Sequence, residues 1–214
     1  IMASIIALEK CNPNDTVTVS DSVIKQISNW KGSASINLEA GEKISVLDLI
    51  YSMMLVSAND SLFALAEFIC GSLDKFAVMM QEKAKSIGAA DTTVTTADGR
   101  FTAEQYSNAY DLAIICRYCM TNRMFRTIAA TDKYTIPATN KNGSRDLQNT
   151  NLLINSGNRR YRYETAIGIK SGYTARSKSC LACSALPPAS KFGEEVLAII
   201  LGAENTKQMK YVFY

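Results

Sequence analysis

Ser57, Asn59, Lys170 and Ser171 are the side chains of this 214-residue chain best suited to polar chemistry, and what is missing around them limits how they could act. There is no histidine. A hydrolytic centre here therefore has no imidazole base, and a metal site built on histidine is excluded. A nucleophile would need activation by a lysine, a carboxylate or a thiol of lowered pKa. Ser57-Ala58-Asn59 falls in a tight connection between two predicted helices, where side chains can face a cleft instead of a helix flank. Taken alone, the plainer reading is that Asn59 caps the second helix. Lys170-Ser171-Gly172 ends a predicted strand, after Ile167 and Ile169 and before Tyr173. An ammonium and a hydroxyl projecting from a strand can bind a carboxylate, and the glycine lets a ligand backbone come close. Alone, that triplet reads more simply as a solvated strand end with a glycine turn.

The surrounding periodicities say how such groups could be positioned. Ile1, Met2, Ile5, Ile6 and Leu8 have helical spacing from the first residue, with no capping residue ahead of them. Residues 16–20 alternate as a short strand. Ser45, with Asp48 three residues on, resembles a capping box ahead of Val46, Leu49, Ile50 and Met53. A second helix is expected from Asn59 to about Cys70, and a third after Ser72, carried by Phe76, Met79, Met80 and Lys83 and stopped by Gly88. Residues 106–120 form another apolar-faced helix. The second half changes period: strands are expected at 133–137, 165–170, 179–186 and 195–201, with a turn at 140–143 and short polar loops at 174–178 and 187–193. Short connections make these strands antiparallel neighbours. Helices followed by an antiparallel sheet predict an α+β fold, in a single domain spanning 1–214. Because the first residue is already helical and a helix-like run from Thr206 stops at Tyr214, the domain is expected to be incomplete at both ends.

Composition excludes more than it selects. Apolar residues make up 47% and charged residues 20%, as in ordinary globular chains. The weak formal net charge of +3 gives no argument for a nucleic-acid partner, and none is expected. No apolar run of 18 residues crosses a membrane in this stretch. Cys116/Cys119 and Cys180/Cys183 are C-x-x-C pairs, but one lies on a predicted helix and the other on a strand, where residues three apart face opposite ways. With Cys11 and Cys70 isolated, the cysteines read as buried apolar thiols, with no metal and no cofactor. Arg159, Arg160 and Arg162, interleaved with Tyr161 and Tyr163, read as a solvated loop. The methionines at 53, 54, 79 and 80 read as core filler.

Serine hydrolases that use a lysine base carry S-x-x-K, then Ser-x-Asn, then Lys-Thr/Ser-Gly. The second and third of these stand here in that order. Together with VTVS at 17–20, SAND at 57–60, YSNAYDLA at 106–113, YTIPATN at 134–140, NTN at 149–151 and GIKSGYT at 168–174, they make almost the whole chain resemble the serine-type D-alanyl-D-alanine carboxypeptidases, the low-molecular-mass penicillin-binding proteins of peptidase family S11. The chain departs from that pattern at Ser171, where threonine is commoner, and in its start: the resemblance puts the S-x-x-K lysine directly before Ile1 and the nucleophilic serine three residues earlier.

The resemblance implies a β-lactamase/DD-peptidase-like fold, with an antiparallel sheet flanked by helices and a mostly helical subdomain. It implies that Ser57 passes a proton from the upstream lysine toward the leaving amine, and that Asn59 holds that lysine and the substrate peptide bond. Lys170 and Ser171 would receive the substrate's terminal carboxylate, Gly172 would let the peptide lie along the strand, and the backbone N–H of Tyr173 would form half of an oxyanion hole. The implied substrate is a peptidoglycan stem peptide ending in D-Ala-D-Ala, with β-lactams as inhibitors. The implied setting is the extracytoplasmic cell envelope, with any membrane contact through a C-terminal anchor outside this chain. Two alternatives stand beside it: a serine β-lactamase, although the class A version has aspartate where Ala58 stands, and a catalytically silent peptidoglycan-binding relative.

Overall fold

The computed structural model describes residues 1–30, 32–186 and 194–204. The elements run α1 (Met2–Lys10), β1 (Thr16–Thr18), α2 (Asp21–Ser28), β2 (Lys43–Ser45), α3 (Val46–Val56), α4 (Asn59–Cys70), α5 (Leu73–Ser86), α6 (Ala109–Thr121), α7 (Arg123–Ala129), β3 (Lys133–Ile136), β4 (Arg145–Gln148), β5 (Ala166–Thr174), β6 (Lys178–Ala185) and β7 (Val196–Ala203). The loop expected at 187–193 and the helix-like run from Thr206 lie outside the described residues. The architecture is α+β, as expected, but the strands form three antiparallel sheets: β1-β2, β3-β4 and β5-β6-β7.

α1 is the centre of the helical part. Residues 2–7 are all buried, which fits a helix that is apolar around its circumference. It packs against α3, α4, α5, α6 and α7. Side-chain caps set several helix starts: Ser45 accepts from the Asp48 N–H, Ser72 from Lys75 and Asn108 from Asp111. The Asp48 carboxylate, however, accepts a hydrogen bond from the Ser45 hydroxyl at 2.5 Å, whereas a full capping box would reach back to the Ser45 N–H. α6 starts three residues later than its apolar spacing suggests. Tyr106 is held out of the helix by exchanging backbone hydrogen bonds with Thr93.

Two apolar clusters flank the three-stranded sheet. The larger joins α1, α3, α4 and α7 to Ile169 and Ala182; the smaller packs Leu153, Leu181, Cys183 and Ala203 against Tyr163, Ala166, Ala198 and Ile200. Gly168 makes the first junction possible. A Cβ there would lie 2.6 Å from the Ala129 carbonyl oxygen, and its φ of +113° suits glycine alone. β5 can therefore rest directly on the end of α7. Elsewhere the fully buried Glu42 ties β1-β2 to β3-β4: its carboxylate accepts from Thr139, Asn142 and Arg145. Burial pushes that carboxyl up, yet the backbone, Thr139 and Arg145 hydrogen bonds outweigh it and leave the pKa lowered. The β3-β4 pair docks on α3 by stacking Tyr134 on Tyr51, with ring centroids 3.7 Å apart.

Candidate active site

One wall of the site is the bend between α3 and α4. α3 ends at Ser57 in a left-handed turn, φ 59° and ψ 33°, with the Ser57 and Ala58 amides both closing on the Ser52 carbonyl. Glycine or asparagine is usual there, and a side chain with a Cβ costs about 1–2 kcal/mol. The turn points Ser57 out of the helix, and its hydroxyl accepts from the Lys170 ammonium at 2.6 Å. Asn59 does not cap α4. It is the first helical residue after Ala58, which makes no side-chain cap, and its own amide reaches the Ala34 carbonyl at 3.4 Å.

Asp60 fixes this bend. Fully buried in the first turn of α4, it accepts from the Ser35 hydroxyl at 2.5 Å and from the N–H groups of Ile36, Leu38 and Ser61 at 3.1, 3.0 and 2.9 Å. A carboxylate at a helix N-terminus is also favoured by the peptide dipoles. The Asn59 N–H donates to Ala34 at 2.8 Å, and beneath it the buried hydroxyls of Ser52 and Ser61 meet at 2.6 Å. Residues 34–38 are thereby clamped against the bend.

The other wall is β5. Lys170-Ser171-Gly172 lies inside this strand and not at its end. Ser171 pairs with Leu181, Gly172 with Cys180 and Tyr173 with Ser179, so the strand runs on through Thr174 before the hairpin. Cross-strand partners on β6 supply the ladder that the sequence of the loop concealed. β5 is also an edge strand of its sheet. The Lys170 ammonium donates to Ser57 and to the Ser171 carbonyl at 2.8 Å, and among the described residues no carboxylate forms an ion pair with it. Burial pulls its pKa from the usual lysine value down to about 8. Gly172 is exposed, and the Tyr173 side chain is 74% exposed, turned away into solvent.

Thr150 joins the two walls. Its N–H and hydroxyl both donate to the Leu55 carbonyl in the last turn of α3, at 2.9 and 3.0 Å, and its Oγ1 lies 3.4 Å from the Ser171 hydroxyl. A cavity of about 420 Å³ opens between the walls, bordered by Ser57, Thr150, Ser171, Gly172 and Tyr173. The start of α1 is close by.

Of the residues singled out from sequence, Ser57 and Lys170 are in direct contact, Ser171, Gly172 and Tyr173 follow along one strand, and Asn59 lies on the opposite bend, bonded to Ala34. Asp60 and Thr150 were not singled out as site residues. Both stand in the stretches SAND and NTN, but their partners are distant in sequence and leave no local signal. The six cysteines are free; burial pushes Cys116 up to about 11 and Cys119 and Cys183 up to about 12, so all three remain protonated thiols at neutral pH. Among the described residues no group of three or more potential ligands could hold a metal ion. Chemically, the arrangement offers one partly buried ammonium of reduced pKa, hydroxyls on either side of a gap, and a strand edge that pairs with no neighbour among the described residues.

Comparison with known proteins shows the family and the fold. The family described as D-alanyl-D-alanine carboxypeptidase, peptidase S11, matches residues 1–205. D-alanyl-D-alanine carboxypeptidase DacF of Bacillus subtilis (strain 168) is 33% identical over 178 residues, covering 83% of this chain and 43% of that protein. A D-alanyl-D-alanine carboxypeptidase of Streptomyces sp. (strain K15) is 30% identical over 227 residues, covering 98% of this chain and 74% of that protein. The chain thus spans less than half the length of the first relative. Among solved structures, the Streptomyces K15 DD-transpeptidase superposes with a TM-score of 0.83 at 26% identity, over 98% of this chain and 82% of that one. The D-alanyl-D-alanine carboxypeptidase from Mycobacterium tuberculosis H37Rv gives 0.81 at 25% identity, over 97% and 72%.

Proposed function

This chain belongs to the D-alanyl-D-alanine carboxypeptidase family, peptidase S11, and from that premise we propose that the full protein is a serine carboxypeptidase removing the terminal D-alanine from peptidoglycan stem peptides. The observation that carries the reading is the 2.6 Å contact between Ser57 and Lys170 across a gap edged by a free strand. A nucleophilic serine and its lysine base belong, on this reading, to residues preceding Ile1, next to the buried start of α1.

The steps follow from the groups. The serine oxygen bonds to the carbonyl carbon of the penultimate D-alanine while its proton passes to the neutral upstream lysine. The cationic Lys170 helps keep that lysine neutral by like-charge repulsion. The tetrahedral oxyanion is held by the Tyr173 N–H together with the serine's own N–H. The carbon–nitrogen bond then breaks, and Ser57 relays the proton to the departing amine of D-alanine. Water repeats the sequence on the acyl-enzyme and restores the serine. Asn59 steadies the lysine and the peptide bond. Lys170 and Ser171 receive the terminal carboxylate, which selects for a chain end. Gly172, without a side chain, lets the peptide add to the edge of β5. Penicillins would stop at the acyl-enzyme.

Such an enzyme works in the cell envelope on the outer side of the cytoplasmic membrane. Among the described residues no helix is long and apolar enough to span a membrane. The test uses the full-length protein: release of D-alanine from a D-Ala-D-Ala peptide, and covalent labelling by a fluorescent penicillin. Lys170→Ala is expected to lose 100-fold or more in kcat/KM, about 2.7 kcal/mol. Activity undiminished by that change would refute the site, and rapid penicillin turnover without D-alanine release would mark a β-lactamase.

A further inference from the structure

The two walls of the cleft are joined a second time, at the far end of β5. Beyond Tyr173 the strand turns back into β6. The turn is held by the Thr174 and Ser177 hydroxyls, 2.7 Å apart, and by the Ser177 N–H, which donates to Thr174 at 2.9 Å. From this tip the exposed Arg176 reaches to the helical part, where its guanidinium lies 4.2 Å from the centre of the Phe101 ring. Phe101 stands on a fixed mount. Gln105 accepts from the N–H groups of Thr95 and Thr96 and donates to the Arg100 carbonyl, which ties residues 95–105 into a closed loop. Arg100 lies over Trp30, which stacks on Phe63 of α4. Shortly after Trp30 in the chain, Ala34 is bonded to Asn59 at the bend. A file of rings and guanidinium groups thus runs from α4 to the hairpin tip.

The two cations in this file differ. Arg100 is paired with Asp98 at 3.1 Å, whereas among the described residues no carboxylate forms an ion pair with Arg176. A guanidinium laid on an aromatic face keeps its N–H edges free, and it presents them as a fork that fits a carboxylate. With the terminal carboxylate at Lys170 and Ser171 and the scissile carbonyl at the Tyr173 N–H, a substrate runs antiparallel to β5. Its third residue from the end then lies opposite Thr174. The tip can reach that side chain, because diagonal neighbours across a ladder touch when their side chains are long.

We propose that Arg176, held on Phe101, determines specificity by receiving an acidic group on the side chain of the residue before the two terminal alanines. Stem peptides with a carboxylate there are favoured over those with an amide or an amine. Exposure limits the gain to about fivefold, the upper range for an ion pair in contact with solvent. An amine is disfavoured further by like charge.

The assignment rests on the carboxypeptidase reading, and the measurements tell the two apart. Full-length protein is given N-acetylated tripeptides ending in D-Ala-D-Ala whose first residue is glutamate, glutamine or lysine, and release of D-alanine is followed. A glutamate-to-glutamine ratio in kcat/KM of about threefold or more at low salt, falling as salt is added, with lysine below glutamine, supports the proposal. A smaller ratio, a ratio indifferent to salt, or lysine equal to or above glutamine overturns it and leaves the carboxypeptidase reading standing. No D-alanine from any peptide, together with no penicillin labelling, refutes that earlier reading. Arg176→Gln, checked for folding by its melting curve, should bring the ratio to about one. A ratio retained in that variant removes Arg176 from the subsite. Phe101→Leu should lower the ratio as well, since it takes away the face that holds the guanidinium, and an unchanged ratio would overturn the part given to the ring.

Discussion

The two walls of the cleft are built on opposite plans. The bend at Ser57–Asp60 is fixed from inside: a buried carboxylate takes hydrogen bonds from four groups, a buried pair of hydroxyls lies below it, and Ala34 is bonded from two directions. The strand wall is fixed on one edge only. Among the described residues its other edge pairs with no strand, its glycine and tyrosine face solvent, and its one cation is held at reduced pKa. On the proposed function, position is conferred by the first wall and affinity by the second. A relay that hands a proton across a short distance needs a rigid mount, whereas a peptide-binding edge must leave its own hydrogen-bonding groups unused until the ligand arrives.

Substitutions test that contrast. The largest effect is expected from Asp60→Ala, which strips the Ser35–Leu38 segment of its acceptor and leaves buried N–H groups unsatisfied. Urea denaturation should show a loss of about 3–5 kcal/mol, and a loss below 1 kcal/mol would show that the bend is held by other means. Next comes Lys170. A lysine whose folded pKa is lowered to about 8 carries a penalty that applies in full below that pH and is relieved as pH rises toward its unfolded value near 10.4. Lys170→Met should therefore be more stable than the parent at pH 7, by at most roughly 3 kcal/mol, and the difference should vanish near pH 10. A pH-independent difference would contradict the burial argument.

A smaller effect separates two changes at Ser57 that both remove the hydroxyl. Ser57→Gly should be more stable than Ser57→Ala by about 1 kcal/mol, because only alanine keeps a Cβ in the left-handed turn. Equal melting temperatures would mean the turn relaxes. The smallest effect is expected at Tyr173, whose side chain is mostly in solvent and whose proposed role is carried by the backbone. Tyr173→Ala should stay within about 0.5 kcal/mol in stability, with penicillin acylation within about threefold, since the main-chain donor is retained. A larger loss of acylation would give the ring a part in binding.

Much of the helical part was legible because burial leaves a periodic trace. The central helix, the helices after Ser45 and Ser72, and the tight connection at Ser57 follow from apolar spacing and capping residues. α2 escaped because its one buried residue, Val23, makes no stripe. α7 escaped because it has only seven residues and follows directly on α6, with Asn122 ending one helix and capping the next. β2 and β4 are three and four residues long and rich in Lys, Arg, Asp and Gln, with pairing decided by distant partners. The continuation of β5 beyond Lys170 was hidden for the same reason: exposed residues at its end are held by the ladder to β6 and not by burial. The site motifs were legible as words, but the work of Asp60 and Thr150 depends on contacts to residues far along the chain.

A strand edge that pairs with no neighbour among the described residues is open to any extended chain. The main-chain groups of β5 can template a strand from an unfolded neighbour, the usual route by which sheet edges seed aggregation. Here the safeguard is local: a cation in the middle of the strand and a glycine that weakens strand propensity beside it. Neutralising Lys170 would thus remove a solubility device from the edge of β5.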